Sequence, residues 1–201
     1  YLPYEEYMAQ EKGFTASAYN PQEWVKLIKE SGARYTVITT KHHDGVALWD
    51  TKAGDLSTVK STPAGRDLIA PFVKEVRKQG LKLGFYYSLL DWSHPDYPNK
   101  TRTEVRYKND PDRWAKFVKF NFGQLSELNK TWKPDLYWFD GDWEQTAEAW
   151  DSKGIINLFP YSGVWRLCYT RAGSSCSTSC RQVLGALYDH ERFMGVSACR
   201  H

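Results

Sequence analysis

Apolar positions along this chain switch repeatedly between the helical and the strand period. Asn20-Pro21 pairs an N-cap residue with proline at the first helical position, and Trp24, Leu27 and Ile28 follow at helical spacing as far as Gly32. Residues 34–40 (RYTVITT), rich in β-branched and aromatic side chains, then predict a buried strand. The alternation repeats. Residues 67–79 predict a helix with Phe72, Val73 and Val76 on one face, closed by Gly80, and residues 81–88 (LKLGFYYS) predict a second strand. Asp110-Pro111 opens a long helix carrying Trp114, Phe117, Val118, Phe122, Leu125 and Leu128, and residues 134–140 (PDLYWFD) predict a third strand. A weaker helix is expected over about 144–153.

Strands alternating with helices imply parallel pairing through right-handed crossovers, hence an α/β fold. The turns from helix into strand are short, whereas the connections leaving the strands, residues 41–65 and 89–109, are long. Loops gathered at the carboxyl ends of the strands mark the active face of a (β/α) barrel, although a doubly wound sheet shares that asymmetry. A complete barrel takes about 250 residues, and this chain has 201. The expectation is therefore an incomplete TIM-like barrel of three to four parallel strands, its open edges covered by homo-oligomerisation.

Composition narrows the function. The chain is 41% hydrophobic and 25% charged, ordinary for a folded protein. No apolar run is long enough for a membrane helix, and no apolar leader follows Tyr1, so a soluble chain without signal peptide or membrane partner is expected. Aromatics reach 15%, with nine tryptophans, a composition suited to stacking on flat apolar faces such as sugar rings. The net charge of +3 resides in residues 159–201, where five arginines face only Asp189 and Glu191. A charge so small and so placed argues against a nucleic-acid partner. The four cysteines, Cys168, Cys176, Cys180 and Cys199, lie in the same tail and allow three internal pairings.

Three groups of residues could carry chemistry, each at the end of a predicted strand. Lys41-His42-His43-Asp44-Gly45 ends the first; both histidines share a pocket only if Asp44-Gly45 turns the chain there. A zinc site is disfavoured, since His94 is the only other residue of the body spaced as a ligand. Tyr86-Tyr87-Ser88 with Asp91-Trp92 ends the second. Tyr137-Trp138-Phe139-Asp140-Gly141-Asp142-Trp143 ends the third, and period two puts Leu136, Trp138 and Asp140 on one face. A carboxylate above an aromatic ring at a strand end suits a glycosidase floor, where carboxylates work in pairs. Structural turns and core aromatics are the plainer reading of each group taken alone.

In order, Phe14-Thr15-Ala16, the Trp24 helix, TTKHHDG with Leu48-Trp49-Asp50, Arg66-Asp67, GFYYS with Asp91-Trp92, and YWFDG with Trp143 resemble the α-L-fucosidases of glycoside hydrolase family 29 over about residues 5–145. The resemblance implies a (β/α) barrel, a retaining double displacement and no metal or other cofactor. It implies that Asp140 is the nucleophile and that His42 and His43 hydrogen-bond sugar hydroxyls. Trp138 then lies beside the nucleophile, with Trp49, Tyr86 or Tyr87, and Trp143 lining the pocket. It also places a first strand before Tyr1 and an acid/base carboxylate some tens of residues beyond Asp140. No matching context for that acid occurs, and Glu144, ahead of Asp142 and Glu148, is the nearest substitute.

The chain accordingly divides into a partial barrel, residues 1–158, and a tail, residues 159–201, without strand–helix alternation. The tail's switch from Lys to Arg reads as foreign sequence joined by a frameshift or read-through. The expected function is carbohydrate hydrolysis of the fucosidase type, weak or broadened on aryl glycosides. The alternative is a carbohydrate-binding remnant without turnover.

Overall fold

The structure, a computed structural model, describes residues 2–159 and 165–168. Its elements are α1 (Tyr4–Ala9), a 3-10 turn (Gln10–Gly13), α2 (Pro21–Glu30), β1 (Tyr35–Lys41), α3 (Ile69–Lys78), β2 (Lys82–Ser88), α4 (Pro111–Trp132), β3 (Leu136–Asp140), a second 3-10 turn (Asp142–Glu144), α5 (Ser152–Asn157) and β4 (Trp165–Cys168). No described helix is long and apolar enough to cross a membrane.

Side-chain caps set the helix starts. Asn20 accepts from the Glu23 N–H at 3.2 Å and Asp110 from the Arg113 N–H at 3.1 Å, with proline at the first helical position in both cases. The third helix begins later than its apolar pattern predicts, because Asp67 is its cap: Oδ1 accepts from the N–H groups of Ile69 (2.7 Å) and Ala70 (2.8 Å). The helix expected near 144–153 also forms later. Thr146 to Trp150 makes one turn (3.0 Å), Asp151 turns to φ 48°, and its carboxylate then caps α5 at the Gly154 N–H (3.1 Å).

The strands form one parallel sheet in the consecutive order β1-β2-β3-β4, without the reversal of a doubly wound sheet. The strand β4 carries the sheet past position 159, where the sequence pattern put the end of strand–helix alternation. Four residues are too few for a period to register. The remainder of the tail, with Cys176, Cys180 and Cys199, lies outside the described residues.

Alternation along the strands sorts the side chains onto two faces. Leu83, Phe85, Tyr87, Tyr137 and Phe139 are buried, and the core continues through Phe72 and Val76 of α3 and Phe117, Leu125 and Leu128 of α4. On the opposite face Gly84 lies in register with Val37 and Leu136, then Tyr86 with Trp138, then Ser88 with Asp140. The Leu136, Trp138 and Asp140 side chains stay half-buried there. A Cβ at Gly84 would come within 2.7 Å of Val37 Cγ2 and 3.2 Å of Leu136 Cδ2, so glycine permits this close approach of three strands. Trp24, Leu27 and Tyr35 remain exposed, Leu27 at 64%.

Gly84→Ala is expected to lower stability by about 1–3 kcal/mol through overpacking between Val37 and Leu136. Urea unfolding measures this, and an unchanged midpoint would show that the two side chains yield freely.

Candidate active site

The carboxyl ends of β1, β2 and β3 converge on three side chains. The chain turns immediately after β1, where Gly45 N–H bonds back to the His42 carbonyl (3.0 Å) and Asp44 Oδ1 accepts from the Val46 N–H (2.9 Å). Gly45, at φ 87°, has Asp91 Oδ1 2.3 Å from where its Cβ would stand, so only glycine lets the loop after β2 close on this turn. The two histidine rings then lie 4.2 Å apart, with His42 exposed and His43 buried. Among the described residues, His42, His43 and Asp140 form a group whose ligand atoms all lie within 4.8 Å of one another.

Neighbouring strands fix each member. Asp140 Oδ1 accepts from the Gly141 N–H (2.9 Å), and its Oδ2 accepts from the Tyr86 hydroxyl. Burial, then the bond to Asp140 and that carboxylate's charge, push the Tyr86 phenol well above its ordinary range. The His42 ring is stacked with that of Tyr86, 8° from parallel and 5.8 Å between centres. His43 Nδ1 lies 2.7 Å from Ser88 Oγ, and Ser88 donates its one proton to the Leu90 carbonyl (2.8 Å). Ser88 can therefore only accept from His43, which puts the imidazole proton on Nδ1 and leaves a lone pair on Nε2. That Nε2 faces Asp140 Oδ2 at 3.9 Å. Burial, and then the charge of His42, lower the His43 pKa to about 4, against the opposing pull of Asp140. Trp92 (5.2 Å) and Trp143 (6.4 Å, edge-on, 41% exposed) stand around the His43 ring.

A buried ion pair supports this arrangement from behind. Lys41 Nζ lies 3.2 Å from Asp91 Oδ2, 3.4 Å from Asn121 Oδ1 and 4.5 Å from the centre of the Tyr87 ring. Asp91 also accepts from the N–H groups of Ser93 and His94, while the Trp92 N–H bonds to the His43 carbonyl at 2.8 Å. Burial lowers the Lys41 pKa, and Asp91 opposes that shift. The pair thus pins the last residue of β1, the loop after β2 and α4 to one another.

Of the residues expected in the site, the structure brings together Asp140, His42, His43, Tyr86 and Trp143, with Trp138 below Asp140 on the same face. Two are not brought in. Tyr87 alternates to the helix side of the sheet, fully buried, with its hydroxyl bonded to Asn121 (2.9 Å) or Gln124 (2.8 Å). Trp49 is a core residue, 2% exposed, whose indole N–H donates to Glu127 (3.0 Å). Glu144 has its Oε2 engaged by the Tyr97 hydroxyl and by Asn99 Nδ2 (2.8 Å). His94 packs on Phe117 and Phe120, its Nδ1 accepting from the Asp96 N–H (3.1 Å), and stands outside the histidine pair's group. Sequence reasoning gave no role to Lys41 or to Ser88 as the partner of His43. Register was the available signal for Ser88, since it pairs with Asp140.

The family profile described as "Alpha-L-fucosidase" matches residues 1–191. A tissue alpha-L-fucosidase of Bos taurus is 35% identical over 144 residues, which cover 71% of this chain and 29% of that protein. The crystal structure of an alpha-L-fucosidase from Bacteroides thetaiotaomicron, trapped as a covalent intermediate with 2-fluoro-fucosyl fluoride, superposes with a TM-score of 0.69 at 31% identity, covering 82% of this chain and 38% of that one. The Thermotoga maritima alpha-fucosidase in complex with fucose superposes with a TM-score of 0.62 at 33% identity over 83% of this chain and 39% of that one. The chain thus spans about a third of the length of these relatives.

Two outcomes are expected from the site's electrostatics. Folded His43 stays neutral down to about pH 4, whereas an unfolded histidine takes up its proton near pH 6.5. The unfolded chain therefore binds more protons between these values, and stability falls with falling pH, by up to about 1.4 kcal/mol per pH unit. Urea midpoints measured from pH 7 to 4 should show this slope reduced in His43→Gln. Lys41→Met should cost about 3–5 kcal/mol by stranding the Asp91 charge, and Lys41→Met/Asp91→Leu should recover much of that loss. A double variant no better than the single one would show that packing, not charge, governs the site.

Proposed function

The chain belongs to the alpha-L-fucosidase family, and we propose that it hydrolyses α-L-fucosides and related aryl glycosides with retention of configuration, Asp140 acting as the nucleophile. The observation that carries this reading is the setting of Asp140: a half-buried carboxylate at the end of β3, oriented by Gly141 and Tyr86 and faced by His43. In the proposed reaction a carboxylate oxygen bonds to the anomeric carbon as the glycosidic C–O bond breaks. Water then attacks the same carbon and releases Asp140. His43 offers its Nε2 lone pair to a sugar hydroxyl, His42 a second polar contact at the mouth, and Trp138 and Trp143 offer aromatic surface to the sugar ring.

Among the carboxyl groups next to Asp140 in sequence, Asp142 suits proton donation better than Glu144. Burial, and then the charge of Asp140, raise the Asp142 pKa, and its Oδ1 is buried without a partner. Glu144 Oε2 is instead engaged by two donors, the Tyr97 hydroxyl and Asn99 Nδ2. A weakly placed acid costs about 10²–10⁴-fold in rate, so aryl leaving groups, which need that proton least, are the substrates on which turnover shows first.

The consecutive parallel order supports reading the sheet as part of a (β/α) barrel. Its half-buried site face and the exposed Trp24, Leu27 and Tyr35 support coverage by a second copy of the chain in a homo-oligomer.

The full chain should release 4-nitrophenol from its α-L-fucoside and take up one fluorofucosyl group on the Asp140 peptide, read by mass spectrometry. Asp140→Asn should lower kcat on the order of 10⁴- to 10⁶-fold. Fucose binding by calorimetry, with no hydrolysis and no label in the unaltered chain, would instead establish a binding remnant.

A further inference from the structure

The gap between His43 and Asp140 has an unusual polarity. His43 Nδ1 gives its proton to Ser88, because Ser88 spends its own on the Leu90 carbonyl, so Nε2 presents a lone pair. Across 3.9 Å stands Asp140 Oδ2, which already accepts from Tyr86. Two acceptors thus face each other, and the space between them favours either a hydroxyl donor or a cation.

Its dimensions suit a transition-metal ion. Zinc bonds to imidazole nitrogen and carboxylate oxygen at about 2.0–2.2 Å each, which in tetrahedral geometry sets the two donor atoms about 3.4 Å apart, so the 3.9 Å between His43 Nε2 and Asp140 Oδ2 admits an ion once the two close by about 0.5 Å. The third donor is at hand. His42 is exposed, and its ligand atom lies within 4.8 Å of the other two, so a modest rotation of an unburied ring completes a His-His-carboxylate set with a position open for water. Ser88 behind His43 plays the outer-shell part that fixes the tautomer of a metal-binding histidine. Neutral imidazoles favour zinc or copper over magnesium, which prefers all-oxygen sites and keeps its water.

We propose that His42, His43 and Asp140 form a transition-metal site, of zinc or copper class, that holds an inhibitory ion in the place of the sugar. Metal binding stands by itself, whereas its competition with sugar rests on the proposed function above.

The test is calorimetric titration of the full chain with zinc chloride at pH 7, after removal of metal and alkylation of its cysteines so that thiols do not contribute. One zinc equivalent should be lost in His42→Ala, an exposed position that leaves the core intact, and in Asp140→Asn. Ser88→Ala should bind about 10- to 100-fold more weakly, and magnesium chloride should neither bind there nor displace zinc. L-Fucose should raise the apparent zinc Kd of the unaltered chain in proportion to its concentration. No zinc uptake, or the same stoichiometry and affinity in all three variants, would overturn the site. Zinc binding that is lost in the variants yet indifferent to fucose would uphold the metal site and refute the sugar site.

Discussion

An ammonium group sealed from water holds the working end of this sheet together. Lys41 is the last residue of β1, and its side chain crosses to the helix side of the sheet, where Asp91, Asn121 and the Tyr87 ring receive it. A buried lysine is tolerated only if a carboxylate and polar partners compensate its lost hydration. That requirement constrains three separate stretches at once: the end of β1, the loop after β2, and the middle of α4. With Lys41 turned inward, the next residues leave the strand at the sheet's rim, and the backbone bond from Trp92 to His43 fastens the two loops to each other.

The site follows from that placement and from parallel register. Tyr86 lies opposite Trp138, and Ser88 opposite Asp140, so one strand delivers both the hydroxyl that binds the carboxylate and the hydroxyl that orients the histidine. The adjacent tyrosine shows how strict the alternation is. One residue along the chain, Tyr87 faces the opposite way and becomes core. Gly84 contributes by absence, letting Val37 and Leu136 meet across the central strand.

The polarity of the cluster gives it two chemical readings that share one cause. Ser88 has a single proton and a committed acceptor in Leu90, which forces the His43 tautomer and leaves lone pairs on both sides of a narrow gap. On the two proposals, a sugar hydroxyl would donate to one of these acceptors and a metal ion would coordinate both. Either occupant would meet the same three side chains, and both arise from the same few hydrogen bonds behind the site.

The sequence by itself determined the helices and strands wherever local rules are strong. Asn20-Pro21 and Asp110-Pro111 begin helices as their cap chemistry requires, and β-branched and aromatic runs form β1 to β3. It also marked His42, His43 and Asp140, because each lies where a strand gives way to an aspartate–glycine turn or its edge. Residues 144–153 carried a weak periodicity, and there tertiary packing prevailed: Trp150 is drawn against Trp114 (5.0 Å) and the helix starts only after Asp151. What only the tertiary structure decided was which neighbour serves which. Trp49 looked like a pocket aromatic and became core because Glu127, 78 positions away, receives its indole. Lys41, given no role by the sequence, became the buried strut because Asp91 and Asn121 converge on it. Caps and strand propensities act over a few residues and are legible locally, whereas partners of buried polar groups come from distant segments that only folding brings within hydrogen-bond range.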